Sequence, residues 1–142
     1  MEHCIFCGIV SKEISSYILC EDEFTTAFLD INPVAMGHTL VIPNRHFGRL
    51  DAIDDKEVMQ GIMKTLIKVS NLLITAEVCH DFTILSDNGF HAQQDIMHAH
   101  FHIIPRHHNE KVDLKLPTHE EFATAEELKS TYNLLRKQLC EG

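Results

Sequence analysis

The stretch His98-Ala99-His100-Phe101-His102 sets the strongest constraint on what this chain can become. Its imidazoles fall at every second position, and successive side chains of a β-strand point to opposite faces. The spacing predicts a strand with His98, His100 and His102 on one face and Met97, Ala99, Phe101 and Ile103 on the other. The apolar set can dock on a core. The three imidazoles then stand in a row, each about 6–7 Å from the next along the strand. Such a row suits two chemistries: holding a metal, or handling an anion by nucleophilic attack and proton transfer. Of the 11 histidines, seven fall between His80 and His108, which makes this region the compositional focus of the chain.

The remaining bulk properties narrow the partners. A chain of 142 residues with 44% hydrophobic and 23% charged residues reads as one ordinary globular domain, 1–142. A net charge of -9 argues against nucleic-acid polymers, whose binding rests on Lys and Arg contacts to phosphate, and leaves a small anion possible. No apolar run is long enough for a membrane span, and the N-terminus lacks a signal peptide's basic and apolar regions, so a cytoplasmic protein without a membrane partner is expected. Five cysteines are an odd number, which speaks against a disulfide framework. Cys4 and Cys7 form a CxxC pair, which fits half a zinc site, a redox motif, or simply two buried thiols.

Patterning places these residues on elements. Cys4 to Ile14 can form a helical turn or two, and Tyr17–Cys20 and Thr25–Leu29 read as strands joined by an acidic turn. His38–Pro43 is a third strand that the proline ends. Asp54-Asp55-Lys56-Glu57 reads as a capping box with Asp54 at the cap. The helix it opens carries Val58, Ile62, Leu66 and Leu73 at helical spacing and is expected to run to Cys79, about 36 Å. Phe82–Leu85 is a fourth strand, followed by the turn Ser86-Asp87-Asn88-Gly89. A second capping box, Thr124 to Glu127, opens a C-terminal helix with Leu128, Tyr132, Leu135 and Leu139 in one stripe. Strands that pair through short connections, with helices packed on them, predict an α+β fold with an antiparallel sheet.

These residues resemble the histidine-triad (HIT) family. The run His98-Ala-His100-Phe-His102-Ile-Ile matches its signature, and Glu21-Asp22, Ala27 to Pro33, Gly37 to Pro43 and His46 are similar to its segments in their usual order. The resemblance covers 1–106 as the family core, closest to the bacterial-type, zinc-bearing members of the Hint branch. Residues 107–142 form a tail with a C-terminal helix outside it.

The resemblance implies a five-stranded antiparallel sheet with one long helix, a homodimer, and hydrolase or transferase chemistry at the α-phosphorus of a purine nucleotide. It makes His100 the nucleophile, His102 and His38 contacts to the phosphate oxygens, and Gln94 a neighbour of the scissile bridge. It assigns Asn88 to the phosphate side, Asp30 to the ribose hydroxyls, and Ile5, Phe6, Ile9, Ile14, Phe28 and Ile31 to the base pocket. It also implies that Cys4, Cys7, His46 and His98 bind a structural zinc ion, which would draw His98 out of the phosphate chemistry.

Two positions depart from the family pattern. Gln93 stands where the family has glycine, and Asp95, which the resemblance places among the nucleotide-binding residues, stands near the leaving group where it has a hydroxyl. An ionised Asp95 would repel phosphate. The chain also lacks tryptophan, and with it the Trp-containing ending of some Hint members. Three functions fit: a nucleoside phosphoramidate or nucleotidyl hydrolase, a dinucleoside polyphosphate hydrolase, or a nucleotide- and zinc-binding interaction module.

Overall fold

The computed structural model describes residues 3–114 and 123–141; within the expected tail, residues 115–122 lie outside the described residues. The chain divides into two units, residues 1–112 and 113–142. The first contains α1 (Ile5–Val10), β1 (Ile18–Glu21), β2 (Thr25–Leu29), β3 (Thr39–Pro43), α2 (Lys56–Thr75), β4 (Asp81–Leu85) and β5 (Phe101–Arg106). Its five strands form one sheet in the order β1-β2-β3-β5-β4, with every pair antiparallel. The expected α+β architecture with a five-stranded antiparallel sheet is therefore present. No helix of the described residues is long and apolar enough to cross a membrane.

Strand alternation divides this sheet into two working faces. Ala27 of β2, Val41 of β3, and Phe101 and Ile103 of β5 share a buried cluster with Val58, Ile62, Leu66, Val69 and Leu73 of α2. The neighbouring positions Phe28, Leu40 and Ile42 join Phe6 and Ile9 of α1 in a second cluster. The long helix thus covers one face and the short helix part of the other. At the crossing of α2 with β2 the Thr25 and Thr65 hydroxyls lie 2.6 Å apart. Gly61 lets the helix come close, since a Cβ there would lie 2.9 Å from Phe24.

The helix ends differ from the sequence expectation. Asp55, not Asp54, caps α2, accepting from the backbone N–H groups of Glu57 and Val58. The helix ends at Thr75 rather than Cys79. Glu77 adopts φ 60°, and the N–H groups of Glu77 and Val78 return to the carbonyls of Ile74 and Leu73. This is a Schellman ending formed without the usual glycine, so the sequence carried no stop signal.

The triad strand also begins late. Residues 98–100 precede β5, which starts at Phe101. Ala99, Phe101 and Ile103 face α2 as alternation requires, but Met97 is half exposed and leaves the apolar face expected of it.

The second unit holds α3 (Ala125–Glu141). Its capping box is complete: Glu127 N–H donates to the Thr124 hydroxyl, and Thr124 N–H donates to the Glu127 carboxylate. Leu128, Tyr132, Leu135 and Leu139 fall on one face of it.

Candidate functional site: a histidine relay beside a four-ligand cluster

Three fixed backbone groups decide which nitrogen of each buried imidazole carries its proton. The carbonyl of Pro43, the last residue of β3, lies 2.8 Å from His98 Nε2. A carbonyl can only accept, so Nε2 is protonated and His98 Nδ1 keeps its lone pair. The His98 carbonyl in turn lies 2.7 Å from His100 Nδ1, which puts that proton on Nδ1 and leaves Nε2 of His100 with a free lone pair. On the other side, Val34 N–H donates to His38 Nδ1 at 3.2 Å. His38 must then carry its proton on Nε2, 2.9 Å from His102 Nδ1, and His102 must carry its own on Nε2. The result is one lone pair at the cavity wall, on His100, next to one N–H, on His102. Their rings are 5.1 Å apart between centroids.

Burial supports the neutral forms. It lowers His38 and His102 below the ordinary imidazole range, partly opposed by the Asp30 carboxylate. His98, wholly buried, is pushed down to about 4 by burial. Gly37 makes the approach to His38 possible: its φ is +90°, and a Cβ would lie 2.8 Å from Val78.

The lone pair and the N–H open onto a cavity of about 200 Å³ on the α1 face of the sheet. Of the residues expected to bind a nucleotide, Ile5, Phe6, Ile9, Ile14, Phe28, Asp30, Ile31 and Asp95 all line it, with His100 and His102. Phe6 packs edge-on against Phe28, His98 and His100, at 5.5, 5.8 and 5.1 Å between centroids. No Lys or Arg lines the cavity among the described residues; Asp30 stands at one end and Asp95 at the rim.

Sequence reasoning missed Ser15, Ser16, Leu29, Leu40 and Ile96, which also line the cavity. Leu40 was within reach, because it pairs with His102 in register and so shares its face. Serines in a loop carry no such signal.

Three expected residues lie elsewhere. His38 sits behind His102 rather than at the cavity wall. Both ends of the Gln94 amide are used: Oε1 accepts from Gly89 N–H, and Nε2 donates to the carbonyls of Gly48 and Ile96. Asn88 accepts from Leu50 N–H and donates to Ser86. These amides shape the loop before the triad. In that loop Gln93 takes φ 66° and ψ 29°, the left-handed conformation glycine prefers, so the loop keeps a glycine-like turn despite the substitution.

Cys4, Cys7, His46 and His98 offer ligand atoms that all lie within 4.8 Å of one another. Cys4 Sγ lies 3.4 Å from His98 Nδ1, and Cys7 Sγ lies 3.3 and 3.6 Å from the Nδ1 atoms of His46 and His98. A tetrahedral zinc ion would set sulfur and nitrogen ligands about 3.5 Å apart. The lone pair of His98 points into this set, and its other nitrogen is anchored on a carbonyl, the usual outer support of a ligating histidine. These residues could hold a metal. Burial, then the neighbouring Cys4, raises the Cys7 thiol to about 11; a bound cation would favour the thiolate. A second group, Asp30, His38 and His102, is also closely spaced. There the His38 nitrogen facing the others holds a proton, so this group is a hydrogen-bond relay rather than a metal cage.

The HIT domain family model matches residues 11–109. The chain is 44% identical over 117 residues to an uncharacterized HIT-like protein of Borreliella burgdorferi, covering 81% of this chain and 84% of that protein. It is 38% identical over 103 residues to an adenosine 5′-monophosphoramidase of Saccharomyces cerevisiae, covering 72% of this chain and 62% of that protein. Among solved structures, a histidine triad nucleotide-binding protein from Candida albicans superposes with a TM-score of 0.85 at 31% identity, covering 97% and 98% of the two chains.

The neutral, buried imidazoles generate an acid-stability prediction. The folded value of His98 lies below its unfolded value, so the unfolded chain binds more protons between pH 6.5 and about 4. Stability is full above pH 6.5 and falls as pH drops through that window, by about 3 kcal/mol from His98 alone. His38 and His102 act in the same direction. Urea unfolding of chelator-treated protein at pH 7 and pH 4.5 checks this; equal midpoints would contradict buried neutral imidazoles.

Proposed function

The chain belongs to the HIT domain family, and we propose that it is a hydrolase acting at the α-phosphorus of purine nucleotides, with a nucleoside phosphoramidate as the preferred substrate type. The observation that carries this reading is the fixed tautomer of His100, which holds a nucleophilic lone pair at the cavity wall. The yeast relative named as an adenosine 5′-monophosphoramidase supports the substrate class.

The reaction runs in two displacements. His100 Nε2 attacks phosphorus, its lone pair forms the N–P bond, and the leaving group departs with the electrons of the bond it loses. His100 keeps its Nδ1 proton and donates it to the His98 carbonyl, which stabilises the imidazolium that forms. His102 Nε2–H donates to a phosphoryl oxygen as charge develops there, and His38 keeps that proton in place from behind. Water then attacks phosphorus, gives up a proton to solvent, and returns the bonding pair to Nε2. Asp30, an acceptor-only group, receives the ribose hydroxyls, and Phe6, Ile9 and Phe28 wall the base. Gln94 and Asn88 act by fixing the loop before the triad. Cys4, Cys7, His46 and His98 hold a structural zinc ion, which ties α1 to the sheet and supplies no step of the chemistry.

The protein is read as a cytoplasmic homodimer. Edge strand β4 exposes Phe82 and Ile84, and α2 exposes Met59, Met63 and Ile67, apolar surface that a second copy would cover.

Three outcomes are expected. Wild-type protein releases AMP from adenosine 5′-phosphoramidate, and rapid quenching traps a protein heavier by one nucleotide. His100→Ala abolishes the adduct and lowers kcat by at least about 1000-fold; equal turnover by the two proteins refutes the nucleophile. Elemental analysis of protein prepared without chelator gives close to one equivalent of zinc, and Cys7→Ser loses it; full zinc in that variant would refute the site. Light scattering gives twice the chain mass, and a monomer at micromolar concentration would contradict the dimer.

A further inference from the structure

Asp95 faces the reactive nitrogen. Its Oδ1 lies 3.6 Å from His100 Nε2, and its side chain is 78% exposed. The same oxygen accepts from Ile96 N–H at 2.9 Å, which fixes the carboxylate at the rim. Two hollows, of about 200 and 400 Å³, share Ile5, Asp95 and Ile96 as a common border. The first holds the apolar wall and Asp30. The second extends past Asp95 to His46 and Met97. Phosphorus must come within about 3–3.5 Å of Nε2 to react. A group leaving toward the second hollow therefore passes within reach of a fixed negative charge.

Resting on the assignment of His100 as nucleophile, we propose that Asp95 is a specificity-determining residue. It favours substrates whose leaving atom is cationic, a protonated amine on phosphorus, and disfavours anionic leaving groups such as sulfate or a further phosphate. The charge balance of the cavity argues for this. Among the described residues two carboxylates and no Lys or Arg line it, so an anionic phosphoryl group gains from bringing a positive charge of its own.

The step itself uses the carboxylate throughout. In an amidate protonated on nitrogen, the Nε2 lone pair forms the N–P bond, and the P–N bond breaks with its pair going to nitrogen. The amine leaves neutral, and the positive charge passes to the imidazolium. Asp95 faces the charge before and after the transfer. With a sulfate leaving group, negative charge instead builds beside the carboxylate.

The test compares kcat/KM for adenosine 5′-phosphoramidate and adenosine 5′-phosphosulfate in wild type, Asp95→Asn and His100→Ala. Asparagine keeps the acceptor for Ile96 N–H and removes the charge. The wild-type preference for the amidate over the sulfate falls about tenfold in Asp95→Asn, as expected of two solvent-screened charge effects of about threefold each. The wild-type preference also shrinks between about 0.05 and 0.5 M salt, while that of the variant stays flat. A merely structural role would scale both substrates together and leave the ratio unchanged within twofold, which overturns the proposal. Loss of both activities in His100→Ala alongside such an unchanged ratio sinks only the role of Asp95. Retained activity in His100→Ala, or no turnover of either substrate by wild type, overturns the nucleophile assignment and this proposal together.

Discussion

His98 is the junction on which the rest of the site depends. Its Nε2–H reaches the end of β3 at Pro43, its Nδ1 faces two thiols near the N-terminus, and its carbonyl orients His100. One residue thus ties together a strand end, a short helix and the reactive imidazole. The ring and the carbonyl of His98 each contact a separate part of the chain. That matters because α1 is only six residues long and could not persist by itself. Its anchoring at Cys4 and Cys7 also positions Phe6, which packs against both His98 and His100.

The sheet converts this junction into a site. The face toward α2 is sealed by Ala27, Val41, Phe101 and Ile103, so the alternate residues must face the other way. A one-residue slip of β5 would bury His102 against α2 and put Phe101 in the cavity. The apolar core of α2 therefore fixes the register of the chemistry on the opposite side, although it touches none of it.

Much of this was legible in the chain, and the failures have physical causes. Alternation located Ala99, Phe101 and Ile103 correctly, and the family resemblance grouped the four thiol and imidazole ligands that the structure brings together. Alternation alone also implied three equivalent imidazoles in one row, which they are not. β5 begins at Phe101, and the irregular backbone before it frees His98 to face the cysteines. No periodic pattern encodes such a late start. The early end of α2 was hidden for a similar reason: Glu77 takes a conformation that sequence rules reserve for glycine. Gln94 and Asn88 show a further limit: the family resemblance suggested ligand contacts for them, and no pattern in the sequence foretold that both amides bond to loop carbonyls and N–H groups.

The electrostatics of the cavity follow from how its imidazoles are held. Phosphate sites commonly recruit Arg or Lys, but here the donor presented to an anion is a neutral N–H kept neutral by burial. A buried cation would have required a paired anion, and Asp30, the less exposed of the two carboxylates, sits on the relay itself, 3.6 Å from His38 Nε2. A neutral relay avoids that desolvation cost and leaves a dipole aimed at the place where charge appears during reaction. Such a dipole binds a resting anion weakly and a developing one more strongly in proportion to its charge. A site built this way gains little from holding its phosphate tightly, and its selectivity passes to whatever stands at the rim. In this chain that is a carboxylate.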